Sequence, residues 1–201
     1  MEAKKALQND SALNLPARPA LNIDKSSGLV EGVRFVPSPN SDARPPDMAI
    51  EVLIIHSISL PPGEFGGDDI ERLFCNRLDA ARHPFFREID GLRVSAHLLV
   101  RRSGELIQFV PFHARAWHAG VSCCEGRTRV NDFSIGIELE GADDVPFEDV
   151  QYAVLAAVTR SLLDVYRGIT PDRIYGHADI APERKTDPGP SFDWTRYRQS
   201  L

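Results

Sequence analysis

Two histidines stand where an apolar run gives way to an irregular loop. His56 follows Ala49–Ile55, an almost unbroken aliphatic and β-branched run, and His177 follows the short run Arg173–Tyr175. Side chains at strand ends rimmed by loops are well placed to converge on one site. Asp187 lies ten residues beyond His177, in the loop APERKTDPGPS. Two imidazoles and one carboxylate, with the fourth position left to water, make a common catalytic zinc set. The chain holds six histidines and these three residues are far apart, so spacing alone does not choose the set. His83 before Pro84, His113 at a turn, His97 within an expected strand and His118 after Trp117 are not separable by position.

Glu138 and Glu140 close the apolar run SIGIELEG. Residues two apart in a strand share a face. A carboxylate at a buried strand end is costly to desolvate unless partnered, which makes it a candidate base. The pattern fits a pair of rim carboxylates equally well. Lys185 stands two residues before Asp187, so in an extended segment both side chains point the same way. An ammonium beside a metal-bound carboxylate can stabilise a developing oxyanion. On composition alone Lys185 is a surface lysine in the charged run ERKTD.

These residues need a scaffold. Ala49–Ile55 reads as a strand buried on both faces. Asp68–Leu78 reads as a helix with Ile70, Leu73 and Phe74 on one side. Leu92–Arg101 and Glu105–Val110 flank Arg102-Ser103-Gly104, a short hairpin signal. Phe133–Leu139 is a further strand. Phe147–Tyr166 is the longest helix, with Val150, Val154, Val158, Leu162 and Val165 at helical spacing. Arg173–Tyr175 is a short strand leading to His177, and a last helix starts at Asp193. The expected architecture is α/β: a single domain with a central mixed β-sheet flanked by helices. The proline-rich stretch 36–46 is read as an extended wrap. Residues 1–28 are polar and read as a flexible arm, leaving 29–201 as the domain.

Composition excludes some functions. The 201 residues suit one domain with a sizeable core. A net charge of −6 argues against a general nucleic-acid binder, which needs a basic face. No apolar run approaches the roughly 20 residues that span a bilayer. The lysines near Met1 are followed by no apolar core, so no secretory signal is read there. Cys75, Cys123 and Cys124 are odd in number and two are adjacent. They make no disulfide framework and fit a reducing compartment.

Five segments taken together carry more than any one residue: IIHSISLPPGEFGG, LRVSAHLLVRRSGELIQFVPF, RAWHAGVS, NDFSIGIELEG and GHADIAPERKTDPGPSFDW. In this order they resemble the N-acetylmuramoyl-L-alanine amidase family, which includes phage amidase-type lysozymes and peptidoglycan recognition proteins. Within it they resemble the branch that acts on 1,6-anhydro-muropeptides in the bacterial cytoplasm. The resemblance covers roughly residues 33–200. It implies one Zn2+ per chain on His56, His177 and Asp187, with Glu138 as proton acceptor and Lys185 as transition-state stabiliser. Arg93, Trp117 and Arg129 fall on motif positions that resemble substrate-contacting residues; a tryptophan offers a flat face to a sugar, an arginine a fork to a carboxylate. Two departures stand out. Phage and animal relatives carry a catalytic tyrosine where this chain has Ala96, which leaves the base role to Glu138. Ser57 stands where the resemblance leads one to expect an asparagine that touches substrate.

The implied function is zinc-dependent hydrolysis of the bond between the muramoyl lactyl group and L-alanine, in peptidoglycan recycling. Cytoplasmic location, a small anhydromuropeptide as partner, no nucleic-acid or membrane partner, and a monomeric state are the accompanying expectations. An amidase acting on intact peptidoglycan and a non-catalytic peptidoglycan-binding module are the alternatives.

Overall fold

The computed structural model describes residues 21–201. In chain order the strands and helices are β1 (Ile23–Asp24), β2 (Leu29–Val30), β3 (Arg34–Phe35), β4 (Ser41–Ala43), β5 (Val52–Ile58), α1 (Asp69–Phe74) and α2 (Pro84–Glu88). Then come β6 (Leu98–Val100), β7 (Leu106–Gln108), β8 (Ala114–Ala116), β9 (Cys123–Cys124), β10 (Arg127–Thr128) and β11 (Ser134–Glu140). The chain ends with α3 (Asp149–Val165), β12 (Ile174–Gly176), α4 (His177–Ile180) and α5 (Trp194–Gln199).

Six strands form the central sheet in the order β12-β5-β11-β6-β7-β3. The first four run parallel, β7 is antiparallel to β6, and β3 is parallel to β7. This is the mixed sheet expected. Alternation of side chains divides the central strands between two faces. Leu53 and Ile55 of β5, Ile135, Ile137 and Leu139 of β11, and Leu98 and Val100 of β6 pack with Val154, Leu155, Val158 and Leu162 of α3. Each such side chain, fully buried, contributes about 1.5–3 kcal/mol. The opposite face carries Leu99 and Ile107 under α1 and α2, and Val52 and Ile54 under the segment around Ala119. His56, Gly136 and Glu138 share the alternation of Ile54 and so belong to that second face.

Several boundaries differ from the sequence reading, each for a local reason. β5 runs through His56 to Ile58 rather than ending before the histidine, because β11 stays paired with it as far as Ile58. On its other side β12 pairs only as far as Ile55. His56 therefore stands where one neighbour leaves, not where the strand stops. α1 ends at Phe74, short of Leu78. Asn76 takes a left-handed φ of 55°. The N–H of Arg77 then donates to Arg72 O (2.7 Å) and that of Asn76 to Leu73 O (3.0 Å). These two bonds close the helix in the manner of a Schellman turn. α2 is an element the pattern reading passed over. Its signal is His83-Pro84: His83 Nδ1 accepts from the Phe85 N–H at 3.1 Å, and Pro84 occupies the first helical position.

Residues 21–28, read from composition as part of an arm, carry β1, which pairs antiparallel with β2 just beyond them. Ile23 is buried in the main core. Residues 1–20 lie outside the described residues. The wrap at 36–46 pairs through β4 with β8.

Candidate metal centre

The sheet register builds the site. In the parallel β5–β11 pair, Glu138 is the direct partner of His56. β12 leaves β5 at Gly176, and the chain turns at once into α4, whose first residue is His177. That turn swings His177 over the free edge of β5. The third residue arrives from the loop after α4. The Ala178 N–H donates to Asp187 O at 2.9 Å, which ties the loop back to the helix start. Gly176 makes room for it: a Cβ there would lie 2.9 Å from Pro188 Cδ and 3.2 Å from Trp194 Cζ2.

Three ligand atoms converge as a result. His56 Nδ1 and His177 Nδ1 are 3.0 Å apart, and each lies 3.1 Å from Asp187 Oδ2. His177 Nε2 is 3.1 Å from the carbonyl oxygen of Ala119. A carbonyl only accepts, and it lies nearer than the Arg184 guanidinium at 3.4 Å, which itself donates to the same carbonyl, so Nε2 carries the hydrogen and Nδ1 of the neutral ring presents a lone pair. Ligand atoms about 2.05 Å from a tetrahedral ion stand about 3.3 Å from one another. The observed triangle is thus one face of such a tetrahedron, drawn in by a few tenths of an ångström. The residues fit a divalent metal.

The electrostatics agree. Burial holds His56 neutral, its pKa lowered to about 4 despite the opposing pull of Asp187. Burial works to raise the Asp187 carboxyl, but hydrogen bonds with His177 and His56 outweigh it and hold the group well below the usual carboxylate range. Glu138 goes the other way. Burial, reinforced by the charge of Asp187 and opposed by Lys185, pushes its carboxyl well above the ordinary value. Among the described residues, nothing hydrogen-bonds to the buried Glu138 Oε2.

All of this opens into a cleft of about 310 Å³, lined by Ser57, His118, Glu138, His177, Lys185 and Asp187 on one side and by Leu60, Phe85 and Leu92 on the other. A model of the family described as N-acetylmuramoyl-L-alanine amidase, Amidase_2, matches residues 46–190. The chain belongs to that family. The amidase is 60% identical over 171 residues to 1,6-anhydro-N-acetylmuramyl-L-alanine amidase AmpD of Escherichia coli (strain K12), covering 85% of this chain and 93% of that one. The crystal structure of a selenomethionine derivative of AmpD matches it with a TM-score of 0.87 at 55% identity, covering 90% of this chain and 99% of that one. The amidase AmiD from E. coli, in complex with anhydro-N-acetylmuramic acid-L-Ala-D-γ-Glu-L-Lys, matches with a TM-score of 0.57 at 33% identity, over 78% of this chain and 60% of that one.

The remaining residues singled out in the sequence scatter more widely. Ser57 lines the cleft of the amidase, but Arg93 lies in an adjoining hollow with Asn76, Leu78 and Asp90. Trp117 does not line the cleft; its indole N–H donates to Asp42 Oδ1 at 3.2 Å. Arg129 is exposed and paired with Asp132 at 2.8 Å, also off the cleft. Ala96 is fully buried. His97 is a satisfied core histidine: its Nδ1 accepts from the Gly136 N–H at 3.0 Å. His118 is the histidine whose role the sequence left open. It lines the cleft and sits 2.9 Å from His56 Nε2. Its one sequence signal is its place after Trp117 in RAWHAGVS.

Proposed function

We propose that the amidase hydrolyses the amide between the lactyl carboxyl of a (1,6-anhydro-)N-acetylmuramoyl group and L-alanine, in peptidoglycan recycling. One Zn2+ per chain is held by His56, His177 and Asp187. The observation that carries this reading is the triangle of three ligand atoms beside the Glu138 carboxylate, which has no hydrogen-bond partner among the described residues, in a chain 60% identical to AmpD. The third ligand supports zinc through its chemistry: two neutral imidazoles and one carboxylate leave a fourth position open.

Zinc in such a site supplies a Lewis acid and a water that ionises near neutral pH. Glu138 takes the proton of the attacking water on its carboxylate, to which no group among the described residues hydrogen-bonds. From there it can hand that proton to the departing alanine nitrogen. Lys185, on the wall of the same cleft, places an ammonium where the carbonyl oxygen gains negative charge. The apolar wall of Leu60, Phe85 and Leu92 excludes water from the far side. Ser57 hydrogen-bonds substrate within the cleft, and Arg93 meets the peptide stem in the adjoining hollow. Trp117 and Arg129 reach only a ligand that extends beyond the cleft.

Cytoplasmic action on a small fragment, by a monomer, belongs to the same proposal. The compartment is supported by three free thiols, Cys75, Cys123 and Cys124, as a reducing environment maintains them. Among the described residues, no helix is long and apolar enough to cross a membrane. Rates on purified anhydromuropeptide and on intact sacculi decide the substrate. Release of peptide from the small fragment at least about a hundredfold faster is expected; comparable rates would assign the enzyme to the polymer.

A further inference from the structure

We propose that the dipeptide His118-Ala119 is a positioning device that fixes the proton arrangement of both imidazole ligands, with His118 acting on His56 and Ala119 on His177. The inference rests on the reading of His56 and His177 as metal ligands.

The argument starts at a carbonyl. Ser134 Oγ lies 2.7 Å from Val130 O and 3.1 Å from His118 Nε2. A hydroxyl has one hydrogen, and a carbonyl can only accept. Ser134 therefore donates to Val130 O and accepts from His118, whose Nε2 must carry a hydrogen. The ring of His118 is buried and no carboxylate hydrogen-bonds to it among the described residues, so it is neutral and its Nδ1 is bare. That bare nitrogen is 2.9 Å from His56 Nε2. His56 Nε2 must then be the donor, which leaves His56 Nδ1 bare. This is the atom that faces His177 and Asp187. Four groups in series thus carry one instruction from a backbone carbonyl to the site: present a lone pair.

The second ligand is instructed by the next residue along. Ala119 O accepts from His177 Nε2. Asn131 Oδ1 holds the dipeptide in place, accepting from the His118 N–H at 3.2 Å and the Ala119 N–H at 2.8 Å. The His118 ring packs directly against β11 only because the strand has a glycine there. A Cβ on Gly136 would come within 2.4 Å of His118 Cγ and 2.5 Å of its Nδ1. Ring-to-ring contact with His56 is edge-on, with centroids 5.1 Å apart at 83°. His118 does not itself point at the metal triangle. Its Nδ1 is occupied by His56, and its effect passes through that ring. Partners of this kind typically change metal affinity by about 10- to 100-fold.

Two conservative variants separate the roles of the two nitrogens. In His118→Asn the amide oxygen can stand where Nδ1 stands, whereas in His118→Gln the amide reaches only the position of Nε2. Zinc affinity is measured by competition with a chromophoric chelator. His118→Gln is expected to bind zinc about 10- to 100-fold more weakly than the parent, with His118→Asn within a few-fold of it. Long-range 1H–15N correlation spectra of the zinc-loaded parent test the same claim without any variant: His118 should carry its hydrogen on Nε2. Equal affinities for parent, Asn and Gln variants, or a hydrogen on His118 Nδ1, would overturn the proposal. A parent that binds no zinc would instead remove the ligand assignment on which it stands.

Discussion

Glu138 and Glu140 stand two residues apart on β11, as the alternating pattern of SIGIELEG required, yet their surroundings differ. Glu140 is buried with every oxygen engaged. Oε1 accepts from the Gly66 N–H at 2.7 Å and pairs with Arg101 at 3.2 Å, and Oε2 accepts from the Arg102 N–H at 3.1 Å. Glu138 has a buried oxygen with no partner among the described residues. Substituting them should therefore shift stability in opposite directions. Glu140→Ala strands three donors and should lower unfolding free energy in urea by about 3 kcal/mol. Glu138→Gln should raise the melting temperature of the metal-free protein. The folded pKa of Glu138 lies above its unfolded value, so ionising it in the folded state costs stability. That cost is absent well below the unfolded value of about 4.3 and grows as pH rises from there toward the folded pKa. The gain from Glu138→Gln should be small at pH 4 and larger at pH 7. A variant that melts no higher than the parent at pH 7 would contradict this account of Glu138.

At the scale of elements, the site depends on where strands lose their neighbours. β12 is three residues long, and its end at Gly176 both frees the edge of β5 and starts α4. Gly176 has a φ of −81°, which any residue accepts, so its need for glycine is one of space alone. Gly176→Ala should push Pro188 and with it Asp187 away from the two histidines. Zinc affinity is expected to fall about tenfold or more while the fold persists; an unchanged affinity would mean that the loop shifts without moving its ligand. The long elements were legible from periodicity. The valine stripe of α3 and the aliphatic run of β5 each specify one period and one buried face. The short ones were not. α2 and the two-residue ribbons lack the length to display a period, and α1 is cut short by Asn76, whose left-handed turn leaves no mark in hydrophobic spacing.

At the scale of the molecule, the metal set was legible only in part. Residue types and loop positions nominated His56, His177 and Asp187, but six histidines allow many sets, and it was motif resemblance that chose among them. The role of His118 stayed open because it is a relation between ring nitrogens of residues 62 positions apart, which no local pattern encodes. Trp117 and Arg129 show the converse: motif position nominated them, and neither lines the cleft. The whole fold serves one purpose here. It brings ligand atoms from a strand, a helix start and a loop to within 3.1 Å of one another, with the Glu138 carboxylate alongside. The most direct test loads parent and Glu138→Ala with zinc, verifies about one ion per chain in each, and follows purified anhydro-N-acetylmuramoyl-peptide by mass spectrometry. The parent should release a peptide with a free L-alanine amino terminus, and the equally loaded variant should turn over about 10²- to 10⁴-fold more slowly. Equal rates for the two, or no cleavage by the zinc-loaded parent, would contradict the account.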